Sequence, residues 1–483
     1  MRLIDLLNKN ETLSKNVQAH EDLEILGITS DSRDVRPGFL FAALSGAKVD
    51  GKEYVSKAIE NGAVCILGPV GTTARVAVIE DQNPRLRLAK IAALFYAVQP
   101  ENVAAVTGTN GKTSVATFLR QIWEIMGLRA VNIGTIGLFG SGFAEFGKLT
   151  TPDPVKLHEI MKRVAAADID YLAMEASSHG LEQYRLDGIR IKAAGFTNIS
   201  RDHLDYHGTM EDYRQAKLRL FSEVVEDGGH VVVNADKCEA TEIIKIAHAR
   251  NLHVISYGLK GRDICVLERK VFSQGQQLSL RVNGTPYDIF LPLVGSFQTE
   301  NSLCALGLAM ALGADEKAAV QALEKLEGVS GRVQIVGHVN GADVYIDYAH
   351  TPDALENVLK ALRPHTKNKL FVMFGCGGDR DAGKRPQMGR IAAQFADGII
   401  ITDDNPRTED AAQIRQEILA EAKDAIEIAD RHEAIQQGIK NLAKGDVIVL
   451  TGKGHEQGQD VGHEVIPFSD VIEAKATIWE LGQ

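Results

Sequence analysis

The chain has few cysteines, and none of them stands at the spacing of a metal site or a redox pair. Five are scattered over the 483 residues: Cys65, Cys238, Cys265, Cys304 and Cys376. An odd and dispersed set of this kind argues against a disulfide framework and indicates a reducing compartment. We therefore expect a cytoplasmic protein without disulfides.

Long apolar runs and an excess of positive charge are missing too. The longest apolar run, Ala305 to Ala314, falls far short of the about 20 residues that span a membrane. The amino terminus, "MRLIDLLNKNETL", lacks the apolar stretch of a signal peptide. The net charge of -11 argues against a nucleic-acid partner, because such partners are held through phosphate contacts. A small phosphate ligand needs only a local pocket and stays open.

The length of 483 residues predicts about three domains, and three regions do differ in pattern. The first mixes short apolar segments with helical stretches, whereas the other two alternate strands with helices. Alternation of this kind predicts parallel sheets covered by helices. We predict an α/β protein with domains at residues 1–99, 100–331 and 332–483.

The central region opens with a short apolar strand, a glycine-rich turn and a helix. One face of that helix carries Val115, Phe118, Leu119, Ile122 and Met126. Further strands end at "YLAM" and "AAGFTN", which predicts a doubly wound, mostly parallel sheet. The pair Asn283-Gly284 interrupts an alternating stretch, a hairpin signal that predicts an antiparallel addition.

The third region repeats strand and helix in the manner of a Rossmann-like domain. Its predicted strands are "VYID", "KLFVMFG", "GIIITDD", "AIEIAD" and "DVIVLTG". Ligands of doubly wound sheets bind at the carboxyl ends of the strands. Four residues stand at such ends: Asp347, Gly375, Asp404 and Gly452.

The stretch "TGTNGKTS" is the strongest local signal for a nucleotide site. Its glycines let backbone amides face a phosphate, and the following helix adds its dipole. Lys112 can reach the outer phosphates of ATP, and the Thr113 hydroxyl suits Mg²⁺. The loop is one glycine short of the usual pattern, since Val106 takes the first position. Predicted ATP contacts here are Gly108, Thr109, Asn110, Gly111, Lys112, Thr113 and Ser114.

Other polar residues gain meaning only as a set. Glu175 ends a strand, where a carboxylate can hold Mg²⁺ directly or through water. Taken singly, His203 and Lys217 would be a structural histidine and a solvated helical lysine. Arg332 lies at the predicted domain boundary, from which it could reach a phosphate bound by the central domain.

In order along the whole chain, these motifs resemble the signature of the Mur ligase family. The matching residues are Lys112 in "GTNGKT", Glu175 in "MEASSHGL", His203 in "NISRDHLDYHG", Asn301, Arg332, and Asp347 in "DYAHTPDAL". These enzymes are ATP-dependent amino-acid ligases of peptidoglycan synthesis. The motifs "GCGGDRD", "DDNPR" and "GKGHE" further resemble members that add a diamino acid to UDP-N-acetylmuramoyl-L-alanyl-D-glutamate.

The resemblance implies a mechanism through an acyl phosphate of the D-glutamyl γ-carboxylate, which the incoming amine then attacks. It implies that Lys112, Glu175, His203 and Lys217 are catalytic. Thr113 and Glu175 would hold one Mg²⁺, and His203 with a carbamylated Lys217 would support a second. Asn301, Arg332 and Asp347 would bind ATP.

Substrate residues also follow from the resemblance. The uridine nucleotide would contact Ser30, Ser32 and the turn Ala47, Lys48 and Val49. The muramoyl dipeptide would contact Thr150, Thr151, Ser177, Gln183 and Arg185. Meso-2,6-diaminopimelate would contact Arg380, Asp404, Asn405, Pro406, Arg407, Gly452 and Glu456. Partners would be these small molecules and ATP, and we expect a monomer.

The stretch "DDNPRTED" allows two interpretations. It is either a surface loop with a local salt bridge or the place where Arg407 binds the distal carboxylate of diaminopimelate. In the second case the neighbouring acids would hold the guanidinium or meet the ligand's ammonium groups. Its position at a strand end favours the second interpretation.

Four other functions remain open at this point. A small-molecule kinase would not need the third-domain motifs, and a binding module would not need His203 or Lys217. A folylpolyglutamate synthase would lack the amino-terminal domain. An L-lysine-adding ligase is the serious rival, because lysine and diaminopimelate differ chiefly by one carboxylate.

Overall fold

The computed structural model describes residues 1–7, 18–46, 50–147, 149–200, 202, 204–272 and 274–482. The predicted site residues Ala47, Lys48, Val49 and His203 lie outside the described residues. The chain divides into two compact units, Met1–Arg262 with Cys304–Ala319, and Asp263–Leu303 with Val320–Gln483. The three domain ranges expected from the sequence remain a prediction.

A small parallel sheet lies at the amino-terminal end of the first unit. Its described strands are β1 (Gly27–Thr29), β2 (Phe39–Ala42), β3 (Ala63–Pro69) and β4 (Ala77–Asp81), in that order, with helices α1 (Val55–Glu60) and α2 (Pro84–Tyr96). Asn83 caps α2, because its side chain accepts a hydrogen bond from the amide of Leu86. Buried Leu40, Leu67 and Leu88 join this sheet to α2 in one core.

The larger sheet of the first unit carries the glycine-rich loop. Its described strands are β5 (Asn102–Thr107), β6 (Ala130–Gly134), β7 (Gly137–Gly140), β8 (Phe143–Phe146), β9 (Tyr171–Glu175), β10 (Ile191–Phe196), β11 (Val225–Asn234) and β12 (His253–Gly258). They are ordered β12-β11-β10-β5-β9-β6-β7-β8. The pairs from β12 to β6 are parallel, and β7 and β8 are antiparallel. The chain leaves β5 and β10 in opposite directions, so the crevice between their carboxyl ends is a ligand position.

Helices cover this sheet as the alternating pattern predicted. They are α3 (Lys112–Ile125), α4 (Pro154–Ala166), α5 (Ser178–Glu182), α6 (Leu204–His207), α7 (Met210–Arg219), which continues as a π-helical turn to Val224, and α8 (Ala240–Ala249). The predicted apolar face of α3 is buried at Val115, Phe118, Leu119 and Ile122. Gly127 follows the end of this helix with a φ of +84°.

An antiparallel meander belongs to the second unit. It consists of β13 (Ile264–Phe272), β14 (Gly275–Val282) and β15 (Thr285–Leu291). The Asn283-Gly284 hairpin prediction is confirmed, since Val282 pairs with Thr285 and both turn residues have positive φ. Helices α9 (Ser296–Ala311) and α10 (Glu316–Ala322) each contribute residues to both units.

The Rossmann-like sheet completes the second unit. Its described strands are β16 (Gln334–Val339), β17 (Ala342–Asp347), β18 (Leu370–Phe374), β19 (Gly398–Ile401), β20 (Ile426–Glu427) and β21 (Val447–Thr451), ordered β16-β17-β21-β18-β19-β20 and parallel except for β16. The helices are α11 (Pro352–Leu362), α12 (Lys384–Phe395), α13 (Ala411–Leu419), α14 (Arg431–Lys440) and α15 (Asp470–Leu481), and β22 (Gly458–Asp460) pairs with β23 (Val465–Pro467) as a hairpin. The predicted α/β class with parallel sheets is confirmed.

All five cysteines are free thiols, and Cys238 is the exposed one. Within the described ranges, no helix combines the length and the apolar character needed to cross a bilayer.

Candidate functional site

The glycine-rich loop between β5 and α3 lies against the end of β10. Gly108 has a φ of +149°, and a Cβ at this position would collide with the Thr197 hydroxyl. Asn198 accepts from the amide of Thr109 through its carbonyl at 2.8 Å and from the amide of Asn110 through Oδ1 at 3.0 Å. The loop is therefore held before any ligand arrives, and α3 directs its amino terminus toward it.

Lys112 and Lys217 meet at one carbonyl of this loop. Lys112 Nζ donates to the carbonyls of Gly108 and Thr109 at 2.8 and 2.9 Å. Lys217 Nζ donates to the same Gly108 carbonyl at 2.8 Å and lies 4.3 Å from the centre of the Tyr213 ring. The structure thus brings together two of the predicted catalytic residues, which are 105 positions apart in the sequence.

Lys217 is not the solvated helical lysine that its position in α7 would suggest, because it is 1% exposed. Burial lowers its pKa well below the ordinary value, and the positive charge of Lys112 lowers it further against the opposing effect of Asp202. A neutral amine is favoured in such surroundings. It is the nucleophilic form of lysine.

Glu175 is fixed at the end of β9. Its Oε1 accepts from the amide of Thr135 at 2.8 Å, and its Oε2 accepts from the Thr135 hydroxyl at 3.1 Å. The side chain fits because Gly134 has no Cβ; one there would collide with the carboxylate. Glu175 is 1% exposed, so its orientation is set by these two hydrogen bonds.

The oxygen atoms near the loop are of the kind that Mg²⁺ prefers. Thr113 supplies a hydroxyl in the first turn of α3, and Glu175 supplies a carboxylate. The buried hydroxyl of Thr107, at the end of β5, has no hydrogen-bond partner among the described residues. No group of three or more His, Cys, Asp or Glu side chains is arranged for a metal among the described residues, which do not include His203. The donors present therefore fit an ion held partly by water or by a phosphate ligand.

A continuous hydrogen-bond network joins Glu175 to the predicted dipeptide contacts. The Thr151 hydroxyl donates to the carbonyl of Glu175 at 2.9 Å and accepts from the amide and the hydroxyl of Ser177, both at 3.0 Å. Arg185 donates to the carbonyl of Thr151 at 2.6 Å and to Oε1 of Gln183 at 2.8 Å. Thr150 shares a 3.0 Å hydrogen bond with Thr135. The structure thus brings all five predicted dipeptide contacts together.

The predicted uridine contacts lie at the end of β1. Ser30 is exposed directly after this strand, and Ser32 is half-buried with its carbonyl accepting from the side chain of Asn61 at 3.0 Å. Arg33 and Asp31 form an exposed ion pair beside them, which lowers the pKa of the Asp31 carboxyl. The described part of this site is polar and open.

Three predicted ATP contacts lie in the second unit. Asp347 ends β17 and accepts from the amides of Val333 and Ala349, both at 2.7 Å. Its burial raises the pKa of its carboxyl, and the positive charge of Arg332 opposes that shift. Arg332 lies 4.9 Å from the centre of the Tyr348 ring. Asn301 donates to Gln298, whose amide nitrogen donates to the carbonyl of Arg332 at 3.4 Å.

The carboxyl ends of β19 and β21 bring together most of the predicted diaminopimelate contacts. Asn405 donates from Nδ2 to Glu456 Oε2 at 3.0 Å and from its amide to Asp404 Oδ1 at 2.7 Å. Gly452 has a φ of +108°, and a Cβ there would lie 2.5 Å from Asp404 Oδ2. Asp404 and Asn405 are buried in this cluster, and Glu456 is about one-third exposed. Arg380 is exposed on the loop after β18.

Among the described residues, Arg407 forms no salt bridge with the acids of its own stretch, which argues against the interpretation as a local salt bridge. Its Nη1 donates to the carbonyl of Gly378 at 2.7 Å, and its Nε lies 3.5 Å from Asp460 Oδ2 on β22. Its backbone has a φ of +52°, a left-handed conformation that is uncommon for arginine. The side chain is 25% exposed, so it is within reach of a ligand.

The acids of "DDNPRTED" have structural partners of their own. Asp403 pairs with Arg415, and Asp410 caps α13. Glu409 accepts from Arg385 at 2.9 Å and from the amide of Asp379. Pro406 lies against the loop after β18, where a Cβ on Gly378 would collide with its carbonyl. The acidic stretch therefore connects the loop after β18 to the loop after β19, and Arg407 extends from the second of these loops.

A fully buried ion pair, Arg431 with Asp470, contacts the backbone at the carboxyl ends of β19 and β21. Arg431 donates to both carboxylate oxygens of Asp470 at 2.7 and 2.6 Å. It also donates to the carbonyls of Thr451 at 3.0 Å and Asp403 at 3.3 Å, where β21 and β19 end.

Sequence reasoning missed several residues that hold these sites. Thr135, Asn198, Arg385 and Arg431 act through tertiary contacts, and no local pattern marks them. Lys453 is different, because it stands inside the predicted "GKGHE" motif and could have been found there.

Family models match three stretches of the chain. "Mur ligase family, catalytic domain" matches residues 24–96, "Mur ligase middle domain" matches residues 106–309, and "Mur ligase, glutamate ligase domain" matches residues 331–454. The glycine-rich loop between β5 and α3 lies in the second match, and Arg407 lies in the third.

Curated relatives named UDP-N-acetylmuramoyl-L-alanyl-D-glutamate--2,6-diaminopimelate ligase are similar over nearly the whole chain. The protein of Bradyrhizobium diazoefficiens is 51% identical over 97% of both chains. That of Agrobacterium fabrum is 48% identical over 95% of this chain and 94% of its own. A solved structure with the same enzyme name is 32% identical and covers 100% of this chain and 99% of its own, with a TM-score of 0.74. The resemblance seen in the motifs is confirmed, and the chain belongs to the Mur ligase family.

Proposed function

We propose that this chain is an ATP-dependent ligase of peptidoglycan precursor synthesis. It joins meso-2,6-diaminopimelate to the D-glutamyl γ-carboxylate of UDP-N-acetylmuramoyl-L-alanyl-D-glutamate. The observation that carries this proposal is the 51% identity over 97% of the chain to a relative named as such a ligase. ATP is the co-substrate and Mg²⁺ the metal.

The reaction proceeds in two transfers. The γ-carboxylate attacks the terminal phosphorus of ATP, so that ADP leaves and an acyl phosphate forms. The amine of diaminopimelate then attacks the acyl carbon, loses a proton and expels phosphate, leaving an amide. Lys112 offsets the charge of the transferring phosphoryl group, because catalysis of this kind is mainly positioning and electrostatics.

The chain's own residues prepare the metal sites. Thr113 and Glu175 would hold one Mg²⁺, and Thr135 orients the carboxylate of Glu175 for this task. Mg²⁺ supplies a positive charge that offsets the phosphate oxygens. Lys217 would serve a second ion, together with His203, after carbamylation.

The surroundings of Lys217 support its carbamylation. Its lowered pKa favours the neutral amine, which can attack carbon dioxide: a nitrogen–carbon bond forms, the nitrogen loses a proton, and an anionic carbamate results. This exchanges a disfavoured buried cation for an anion that suits Mg²⁺. The positive charge of Lys112 would pair with that carbamate, because the Nζ atoms of both lysines lie at the carbonyl of Gly108.

Substrate binding divides between the two units. Gly108, Thr109, Asn110, Gly111 and Ser114 bind ATP phosphates with Lys112 and Thr113, and Asn301, Arg332 and Asp347 complete the nucleotide site. Asp347 acts on Arg332 indirectly, because it holds the amide of the next residue, Val333. Ser30, Ser32 and the turn at residues 47–49 take the uridine nucleotide. The muramoyl dipeptide binds to Thr150, Thr151, Ser177, Gln183 and Arg185.

The amino-acid site is formed by the rim around Arg407. Arg407 and Arg380 meet the distal carboxylate of diaminopimelate, Asp404 and Glu456 meet its ammonium groups, and Asn405 lines the same site. Pro406 and Gly452 shape the rim. Residues 1–99, 100–331 and 332–483 would then be the domains for the UDP-substrate, ATP and the amino acid.

The enzyme acts as a cytoplasmic monomer on these small molecules, without nucleic-acid or membrane partners. Its free cysteines support a reducing compartment.

The decisive experiment measures ADP release with ATP, Mg²⁺ and the UDP-dipeptide against a panel of amines. We expect release to require diaminopimelate, and the product to carry one amide-linked diaminopimelate by mass spectrometry. A higher kcat/KM for L-lysine would assign the alternative ligase. ADP release without any amine would indicate a kinase instead.

A further inference from the structure

Lys453 is a buried cation inside the proposed amino-acid site. It follows β21 and is flanked by Gly452 and Gly454, whose φ values are +108° and +56°. Neither glycine has room for a Cβ, since one would meet Asp404 and the other Tyr348 at 2.8 Å. This Gly-Lys-Gly turn directs the lysine inward, and its side chain is 0% exposed.

The Lys453 ammonium closes a triangle of hydrogen bonds. Its Nζ lies 3.0 Å from Asn405 Oδ1 and 3.0 Å from Glu456 Oε2. The third side is the 3.0 Å bond from Asn405 Nδ2 to the same Glu456 oxygen. Asn405 Oδ1 also accepts from the amide of Asp460 at 2.9 Å, so the orientation of its amide group is determined. Glu456 keeps its other oxygen, Oε1, for a further partner.

Both signs of charge lie around the triangle, because the carboxylates of Asp404 and Glu456 also interact with the buried guanidinium of Arg431. Asp404 is 8% exposed, Glu456 is about one-third exposed, and Asp460 lies beside Arg407. Lys453 is the cation that pairs with Glu456 here. Without it the site would be one unit more negative, and interactions between charges are strong where water is excluded.

Two candidate amino acids differ in charge in a way that makes this balance matter. Diaminopimelate has two ammonium and two carboxylate groups, so it is neutral overall. L-Lysine has the same ammonium groups and one carboxylate, so it is a cation. A more negative site therefore favours lysine relative to diaminopimelate.

We propose that Lys453 is a positioning residue that sets the charge preference of the amino-acid site. It holds Asn405 and Glu456 in their binding orientations and cancels one negative charge, which disfavours the cationic competitor. This inference rests on the proposed function. Selectivity would then come from two places: Arg407 attracts the extra carboxylate, and Lys453 weakens the attraction of an uncompensated ammonium group.

The test compares dissociation constants for diaminopimelate and L-lysine by calorimetry, with the enzyme holding the UDP-dipeptide and a non-hydrolysable ATP analogue. We expect Lys453→Met to reduce the preference for diaminopimelate by on the order of tenfold. Glu456→Gln should shift the preference in the opposite direction. The double variant should return it to within about threefold of the unmutated value.

The comparison of Glu456→Gln with the double variant isolates the Lys453 charge in a background without an unpaired buried carboxylate. It therefore decides the question even if Lys453→Met does not fold. Arg415→Met is the matched control, because Arg415 is also a mostly buried cation with two acidic partners in this unit. It should leave the preference within about twofold, and Lys453→Arg should retain most of the preference.

A structural role alone would weaken both ligands equally in the Lys453 variants, and that result would overturn the proposal. So would a preference that does not differ between Glu456→Gln and the double variant. Failure of the proposed function is a separate outcome, visible in the unmutated enzyme as absence of diaminopimelate-dependent ADP release.

Discussion

Lys217 has lost the surroundings that keep an ordinary lysine charged. It is excluded from water and shares a carbonyl acceptor with a second amine. Both effects act against its protonated form. Lys217 should therefore react as a nucleophile. This reactivity is what the proposed carbamylation, and hence the proposed metal support, requires.

Lys217→Ala should lower turnover by at least about 10³-fold, because the support for a metal at the transferring phosphate is lost. The fold should persist, as circular dichroism and thermal unfolding can check. The unmutated enzyme equilibrated with ¹³C-bicarbonate should show a carbamate signal that the variant lacks. Full activity of the variant, or no carbamate in active enzyme, would contradict the assignment.

Arg407 combines a left-handed backbone with a guanidinium that is only partly used by the protein. Arg407→Ala should lower kcat/KM for diaminopimelate by about 10²-fold, since a charged hydrogen bond to the ligand carboxylate is lost. The value for L-lysine should change much less, because lysine lacks that carboxylate. Arg390→Ala is the control: Arg390 is exposed in the same unit and pairs with Glu421.

Existing contacts of Arg407 limit how large its effect can be. Gly378 and Asp460 already satisfy part of the guanidinium, and the side chain is not fully buried. Binding of lysine therefore does not leave a wholly unpaired buried charge. Equal losses for diaminopimelate and lysine in Arg407→Ala would remove this residue from the specificity determinants.

At the scale of elements, α12 and α13 clamp the two loops that carry Arg380 and Arg407. Arg385 on α12 is 1% exposed and bridges Glu409 in one loop to Glu417 on α13. Glu409 in turn holds the amide of Asp379, and Asp379 accepts from Thr408 at 2.7 Å. The rim is thus a product of helix packing.

Arg385→Met should lower the free energy of unfolding by about 2 kcal/mol, as measured by urea denaturation. The loss is moderated because both carboxylates are about one-third exposed and can regain water. Arg390→Met on the same helix should change it by less than about 0.5 kcal/mol. If Arg385→Met and Arg390→Met had the same free energy of unfolding, the ion pairs of Arg385 would not contribute measurably to stability.

Helix α4 carries a histidine that should make stability depend on pH. His158 is 2% exposed, and burial lowers its pKa to about 4 against the opposing effect of a backbone hydrogen bond with Asp187. In the unfolded chain its pKa returns to about 6.5, so the unfolded state binds more protons between these values. Its contribution is therefore complete above about pH 6.5 and is lost as the pH falls toward 4.

The expected size of this loss is about 3 kcal/mol. Unfolding of the unmutated protein and of His158→Gln should be compared at several pH values between 4 and 7. The difference between their stabilities should shrink as the pH falls. A difference that does not vary with pH would mean that His158 is already charged in the folded state.

Local patterns in the sequence predicted the elements that carry the chemistry. The helical face of α3, the strands of the Rossmann-like sheet and the hairpin at Asn283 all follow from periodicity and turn residues. Lys112 was recognisable because it follows a glycine-rich turn at the start of a helix, and Glu175 because it ends a strand.

The supports of the site were not predictable in the same way. Thr135 lies 40 positions from Glu175, and Arg385 lies 24 positions from Glu409, so nothing local pairs them. The left-handed backbone of Arg407 is imposed by the β22–β23 hairpin, where Gly462 lies close to its carbonyl. Such features depend on tertiary packing, which a single sequence does not encode in any short window.

For the whole molecule, the division of proposed ATP contacts between two units predicts a conformational change. Lys112 belongs to the first unit, and Asn301, Arg332 and Asp347 belong to the second. The proposed function requires residues of both units to contact one ATP molecule. We expect the units to close on it, which would also protect the acyl phosphate from hydrolysis.

Small-angle scattering should therefore show a smaller radius of gyration when a non-hydrolysable ATP analogue and the UDP-dipeptide are present together. Arg332→Ala should reduce that compaction while leaving the scattering of the free enzyme unchanged. Identical curves with and without ligands would rule out closure in solution.

The buried Arg431–Asp470 pair has a genetic consequence. Asp470 is the first residue of α15, yet its partner Arg431 donates to the carbonyls of Asp403 and Thr451 at the proposed amino-acid site. A stop codon just before this helix would leave every catalytic and ligand-binding residue encoded. It would nevertheless leave Arg431 buried without its carboxylate partner. The ends of β19 and β21, next to Asp404 and Gly452, would then be less firmly held. We therefore expect this truncation to inactivate the enzyme although it removes none of the proposed site residues.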